Sequence, residues 1–305
     1  MDLVDDVLTT MNIAHSQYAR IDARAPWGIA VHARDSARLM LVASGSCWLD
    51  CKALDEPRLL VAGDCVLVQS DVEFSLQDAP GRPLADCESL FDGFLATYGG
   101  DGELTVVLSG RFSFDTSAAE PLFAALPPLL LLDLDSTAGQ AVRATFDLLA
   151  HEAASGGIGS GLIASRLADV LFVHAMRACC VSVGGGAINW LGALRDPQLG
   201  AAMEAMHGDL TRPWTVAELA RIAGMSRSAF AAAFRAKAGE TPLGYLTSWR
   251  VYQAKTLLRD TPLSVQEIAV RVGYDTGTAL SRVFSRHTGV SPGAWRKNRQ
   301  RSLVG

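Results

Sequence analysis

Arg227, Ser228 and Arg235, and some fifty residues later Thr278, Ser281, Arg282 and Ser285, are side chains suited to hydrogen-bond an anionic polymer. Arginine offers a planar fork of donors that matches a phosphate or the O6/N7 edge of guanine, and short hydroxyls serve either. Each set follows a glycine break, Gly224-Met225-Ser226 or Gly273-Tyr274-Asp275, and is interleaved with apolar residues, Phe230 and Phe234 or Leu280 and Phe284. Subtracting those core positions leaves Arg227, Ser228, Ala231, Ala232 and Arg235 outward in the first stretch. Gly277, Thr278, Ser281, Arg282 and Ser285 remain in the second. Alanine can touch a thymine methyl but cannot bond a base edge, so the first set is expected to read weakly. Arg282 is the best candidate for a bidentate guanine contact, with a phosphate clamp or an ion pair within the protein as the alternatives.

The elements that must position these residues repeat as well. Thr215-Val216-Ala217-Glu218 and Ser264-Val265-Gln266-Glu267 both fit the S/T-x-x-E pattern, in which hydroxyl and carboxylate reciprocally satisfy free amides at a helix start. Val216, Leu219, Ala220 and Ala223 match Val265, Ile268, Ala269 and Val272 at helical spacing, and Gly239-x-x-Pro242 matches Gly289-x-x-Pro292. Each copy reads as a helix-turn-helix, at a repeat of 49 to 50 residues with one extra residue in the second turn. Pro242 to Arg259 reads as a connecting helix with Leu246, Trp249, Ala254, Leu257 and Leu258 inward. At about 1.5 Å per residue it spans roughly 27 Å. Two such units can enter successive major-groove faces, which lie about 34 Å apart, so one monomer can bind asymmetric DNA.

Charge divides the chain at the same place. Residues 196–305 hold 15 Lys/Arg against 8 Asp/Glu, a balance of +7, and residues 1–195 hold 12 against 24, a balance of −12. Neutralising phosphates supplies most non-specific affinity for DNA, so the basic end is the one fitted to it.

The last hundred or so residues resemble the DNA-binding domain of AraC/XylS-type transcription regulators. The resemblance rests on Ile268-Ala269 through Gly273-Tyr274, Leu280 to Arg286, Gly289, Ser291-Pro292 and Trp295-Arg296. It implies seven helices, the first near Asp196 to His207, and a dimer. Double-stranded DNA is the implied partner, with RNA polymerase as a second if the protein is an activator.

The front half reads differently. Between 27 and 115, short apolar runs alternate with turn signals: Trp27 to Ala33, Arg38 to Ala43, Cys47 to Lys52, Pro57 to Val61, Cys65 to Gln69, Phe74 to Leu76 and Leu104 to Phe114. Such spacing suggests a β-sandwich or barrel. Ser44 to Leu49 and Leu59 to Val68 resemble the cupin-type jelly roll that precedes some regulators of this family. A metal-dependent cupin enzyme is therefore an alternative, but its histidine cluster is missing. Gln69, Asp71 and Phe74 stand where the second cupin motif would have proline, glycine and histidine, and Phe74 cannot ligate a metal. His15 and His32 read as solvent or packing residues, and Glu73 and Glu88 as isolated carboxylates. No metal, cofactor or catalytic set is expected.

Cys47 and Cys51 share one face of a strand with Leu49, about 13 Å apart, too far for a disulfide. Lacking a secretory signal, the chain is expected in a reducing cytoplasm, where free cysteine behaves as a small hydrophobe. Redox or electrophile sensing through Cys47, Cys51 and Cys87 is a second alternative. Two helices are expected at 138–154 and 161–181, with Val142, Phe146 and Leu149 inward in the first. Leu167, Val170, Leu171 and His174 are expected inward in the second, where Asp169 and Arg177 make a poor membrane span. Gly184-Gly185-Gly186 marks a linker.

The expected architecture is thus α+β and multidomain. Residues 1–183 form a cupin-like sensing or dimerisation domain, with a barrel at about 20–135 and helices at about 138–183. Residues 184–195 are a linker, and 196–305 are an all-α double helix-turn-helix domain. The function expected is sequence-specific, effector-responsive regulation of transcription, with a small-molecule effector and a homodimer among its partners.

Overall fold

The computed structural model describes residues 13–32, 36–114, 122–183 and 189–302. The Gly184–Gly186 run lies outside the described residues. The described residues divide into two units, one ending at Val183 and the other running from 189 to 302.

The first unit holds twelve strands among the described residues: β1 Ile13–Arg24, β2 Gly28–Val31, β3 Ser36–Ser44, β4 Ser46–Cys51, β5 Arg58–Val61, β6 Cys65–Val68, β7 Phe74–Gln77, β8 Ala85–Asp86, β9 Phe91–Asp92, β10 Leu95–Gly99, β11 Leu104–Phe114 and β12 Leu129–Leu132. A seven-stranded sheet runs β12-β6-β3-β11-β1-β10-β9, and a five-stranded sheet runs β5-β4-β7-β2-β8. Ile21, Met40, Val42, Val66, Val68 and Val107 from the larger sheet meet Ile29, Leu49, Leu60 and Leu76 from the smaller in one apolar core. Alternation along the strands turns these residues to the same side.

Two helices follow, α1 Thr137–Ser155 and α2 Ser160–Val183. Ser136 caps α1 and Gly156, at φ +57°, ends it. Val142, Phe146 and Leu149 are fully buried, as their spacing predicts. The inward face of α2 differs from the expected one: Ala164, Ala168, Leu171, Phe172, Ala175 and Met176 are buried, whereas Val170 is 44% exposed and Leu167 and His174 are half-buried. Small residues permit close approach to the outer face of the large sheet, where the ring of Phe172 lies 5.1 Å from that of Phe112. There Ser16 Oγ donates to Asp169 at 2.6 Å. No described helix is long and apolar enough to cross a membrane.

The second unit is helical: α3 Trp190–Leu194, α4 Pro197–Gly208, α5 Val216–Ile222, α6 Arg227–Ala238, α7 Pro242–Asp260, α8 Val265–Arg271, α9 Gly277–Thr288 and α10 Pro292–Ser302. Asp196 caps α4 through the amides of Gln198 and Leu199, with Pro197 opening the helix. Within the expected linker, α3 sets Trp190 edge-on to Trp249 at 5.7 Å between ring centroids.

Candidate nucleic-acid interface

Both short entry helices, α5 and α8, begin in a complete reciprocal box. The Glu218 amide donates to Thr215 Oγ1 and the Thr215 amide to Glu218, and Ser264 and Glu267 do the same. The Thr215 hydroxyl, then the Thr215 amide and Arg212, donate to the Glu218 carboxylate and hold it down at about 2. The turns that follow also repeat. Gly224 and Gly273 adopt φ +65° and +83°, and the Met225 and Tyr274 amides donate back to Ala220 and Ala269 at 2.9 and 2.8 Å. These bonds close each helix and aim the next. Ser226 caps α6 and Thr276 caps α9. The second turn has an additional brace: Gln266 accepts the Gly277 amide at 2.7 Å and donates to the Asp275 carbonyl. Ala217 occupies the equivalent place in the first copy and offers no such side chain.

Burial then selects the outward face of each second helix. Phe230 and Phe234 in α6, and Leu280 and Phe284 in α9, have no solvent exposure. Arg227, Ser228, Ala232 and Arg235 are exposed and Ala231 is half-buried. In α9, Thr278 and Arg282 are exposed, and Gly277, Ser281 and Ser285 are half-buried. The Arg282 and Arg235 side chains form no hydrogen bond or ion pair with the described residues. Arg286, one turn beyond Arg282, is exposed on the same side. Sequence reasoning passed over it, although the helical period from Thr278 through Arg282 leads to it.

Other basic residues are engaged within the fold. Lys237 Nζ lies 2.6 Å from Asp196. Arg250 of α7 donates to the carbonyls of Leu210 and Arg212 at 2.7 and 2.8 Å, clamping the entry to the first copy. Arg296 of α10 donates to Leu258 and Leu263 at 3.2 and 2.6 Å, clamping the entry to the second. Helix α7 supports both copies. Its first half carries Tyr245 and Trp249, whose rings meet Phe234 at 5.7 Å and His207 at 4.6 Å, respectively. Its second half places Val251, Ala254 and Leu258 in one core with Ile268, Ala269, Val272, Leu280 and Phe284. A continuous helix packed at both ends is a stiff spacer.

The cysteine and metal candidates of the first unit lie elsewhere. Cys47, Cys51 and Cys87 are buried in the barrel core, the first two on one face with Leu49. Burial pushes the Cys47 thiol up to about 12 and the Cys87 thiol to about 11, which disfavours the reactive thiolate. Phe74 is buried in the same core. Gln69 donates to the carbonyls of Phe123 and Leu126. His32 Nδ1 lies 3.6 Å from Glu73 in an exposed pair, His15 is exposed, and Glu88 pairs with Arg111. Among the described residues, no three His, Cys, Asp or Glu side chains converge as a metal-binding group.

Comparison with known proteins places both units. Residues 2–181 match the family model described as Cupin, and residues 219–298 match one described as Helix-turn-helix domain. A putative AraC-like transcription regulator of Streptomyces lividans is 34% identical over 302 residues, covering 98% of this chain and 99% of that protein. The HTH-type transcriptional regulator AlkR of Acinetobacter baylyi is 30% identical over 309 residues, covering 97% and 99%. Among solved structures, the DNA-binding domain of AdpA in complex with a target DNA is 37% identical. It covers 36% of this chain and 99% of that chain, at a TM-score of 0.34.

Proposed function

Because the chain belongs to the AraC-like transcription regulators, with a cupin domain ahead of a DNA-binding helix-turn-helix domain, we propose that one monomer reads two successive major-groove faces of its operator and that the cupin unit gates this reading. The reading helices are α6 and α9. Arg227, Ser228, Ala231, Ala232 and Arg235 line the first groove, and Thr278, Ser281, Arg282 and Ser285 the second. Gly277 permits close packing of α9 on α8, where a Cβ would come 3.3 Å from the Gln266 amide. The observation that carries this reading is the repetition of box, turn, cap and buried pair in both copies about one α7 helix.

Arg282 supplies the strongest base contact. It is exposed, it has no intrachain partner among the described residues, and its counterpart in the first copy is Ala232. Selection of operator sequences by the full-length protein tests it. Arg282→Ala should cost about 1–3 kcal/mol and relax one base position. A loss spread evenly over all sequences, with a shallower salt dependence, refutes base reading there and leaves a phosphate contact.

The remaining parts of the proposal rest on sequence and family. A small-molecule effector bound in the first unit alters operator binding, the polypeptide around 184–195 joins the two units, and the α1/α2 pair associates with its copy in a homodimer. Exposed Ile163, Val170 and Val181 on one face of α2 support that pairing. RNA polymerase is the further partner if transcription is activated. The protein works in the cytoplasm, with no catalytic step.

A further inference from the structure

One end of the barrel holds an arrangement that the packing does not explain. Arg38 of β3 and Arg111 of β11 are directly opposed across adjacent strands, and Gln17 of β1 is opposed to Arg111 in turn. All three share strand parity with the inward residues Met40, Val107 and Ile21, so their side chains leave the barrel-facing side of the sheet. Like charges directly opposed across a sheet repel, and a buried guanidinium with unmet donors is costly. Arg38 is nonetheless only 7% exposed. The Nε atoms of both Arg38 and Arg111 are buried without a hydrogen-bond partner among the described residues.

Gln17, Ala19, Arg38, Cys87, Glu88, Phe91 and Arg111 line a pocket of about 160 Å³ that opens to solvent beside the exposed Gln17 and Glu88. Engineered cavities of roughly 150 Å³ hold a benzene ring. Two guanidinium groups face one carboxylate, Glu88, which accepts from Arg111 Nη1 at 3.2 Å and is itself mostly exposed. One positive charge is therefore left over in the lining. Burial keeps Cys87 a neutral thiol, so it does not supply the balancing charge. Burial, reinforced by Arg111, also draws the Arg38 guanidinium below its ordinary value, as expected of a cation that lacks its counterion.

We propose that this cavity is the effector site and that it takes a small monocarboxylate, whose oxygens accept from the Arg38 and Arg111 donors while an apolar body of about six carbons lies against Ala19 and Phe91. The inference rests on the effector-responsive reading above and names its ligand class. A monoanion matches the single unbalanced charge, and charge-assisted bonds to two guanidinium groups would fix its head.

Calorimetric titration of the full-length protein with cyclohexanecarboxylate tests the site, with cyclohexanecarboxamide as the uncharged match and inorganic phosphate as the apolar-free anion. The carboxylate should bind saturably at one per chain, and the amide roughly tenfold or more weakly. Arg38→Met should abolish carboxylate binding while raising the melting temperature of the unliganded protein, because it removes an unpaired buried charge. Arg111→Met serves as a second variant, with retained operator binding as the sign of a folded chain. No saturable carboxylate binding, equal binding of the amide or phosphate, or binding unchanged in both variants overturns the proposal. Operator affinity measured in parallel separates the two claims. Carboxylate binding that leaves operator affinity untouched strikes the effector reading and spares the pocket; absent carboxylate binding with intact operator recognition strikes the pocket alone.

Discussion

Equivalent glycines in the two copies should tolerate alanine very differently. At Gly224 an added Cβ would meet only Gln198 Nε2, at 3.9 Å. Gly224→Ala therefore carries only the penalty of a left-handed backbone, about 1–2 kcal/mol. At Gly273 the same carbon would lie 2.8 Å from Arg250 Nη2 and 2.9 Å from the Leu210 carbonyl oxygen. It must displace a guanidinium that holds Leu210 and Arg212. Losing one such charge-assisted bond adds about 1.5–3 kcal/mol. Gly273→Ala should then cost roughly 2.5–5 kcal/mol, toward the lower end because Arg250 is partly reached by water. The site also joins the copies, since Gly273 belongs to the second turn and the Leu210–Arg212 segment leads into the first. Urea unfolding of the full-length variants gives the energies, and hydrogen exchange over 209–214 and 265–288 locates them. Increased exchange should appear in both segments for Gly273→Ala and stay near the first turn for Gly224→Ala. Equal costs, or a Gly273→Ala variant within about 1 kcal/mol of wild type, would refute the reasoning.

Two further outcomes follow from burial. His207 Nε2 is 2.7 Å from the Tyr245 hydroxyl, and burial pulls its imidazole down to about 4. The unfolded chain takes up that proton near pH 6.5, so stability present above pH 6.5 declines between pH 6.5 and 4, by about 3 kcal/mol at most. His207→Phe should flatten that arm of the stability profile, and an unchanged profile would dismiss the assignment. In the native protein, Cys47, Cys51 and Cys87 should resist iodoacetamide at pH 8 and label only on unfolding, with Cys180 the most accessible of the six cysteines. Rapid native labelling of the three barrel thiols, read by mass spectrometry, would revive the redox alternative.

The helical half was largely legible because its signals are local. A hydroxyl and a glutamate three residues apart set each helix start, a glycine sets each stop, and Phe230, Phe234, Leu280 and Phe284 fix the inward face. What local reading could not supply was the destination of the remaining charges. Arg250 and Arg296 look like DNA contacts in a charge count, yet both are tied to carbonyls. In the front half the short runs between Trp27 and Phe114 emerge as strands, but β1 was missed. Ala19, Ile21 and Ala23 alternate with Arg20, Asp22 and Arg24, but upstream Gln17 takes an inward-parity position and Ser16 an outward one that Asp169 of α2 meets, so the polar run His15 to Gln17 hides the strand's first half. The inward face of α2 was misjudged for a related reason. Alanines give little hydrophobic signal, yet close packing on the sheet selects them over Val170. The opposed Arg38 and Arg111 are 73 positions apart, and only the strand register brings them together.

Hydroxyl-radical and dimethyl-sulfate footprinting of the full-length protein on a selected operator tests two-groove reading by one chain most directly. Two protected major-groove tracts should appear on one side of the duplex, centred about 10–10.5 base pairs apart, with Arg282→Ala clearing guanine protection from one tract and Arg235→Ala weakening the other. A single tract per bound chain, or both variants thinning every protection alike, would contradict the assignment of α6 and α9 as paired reading helices.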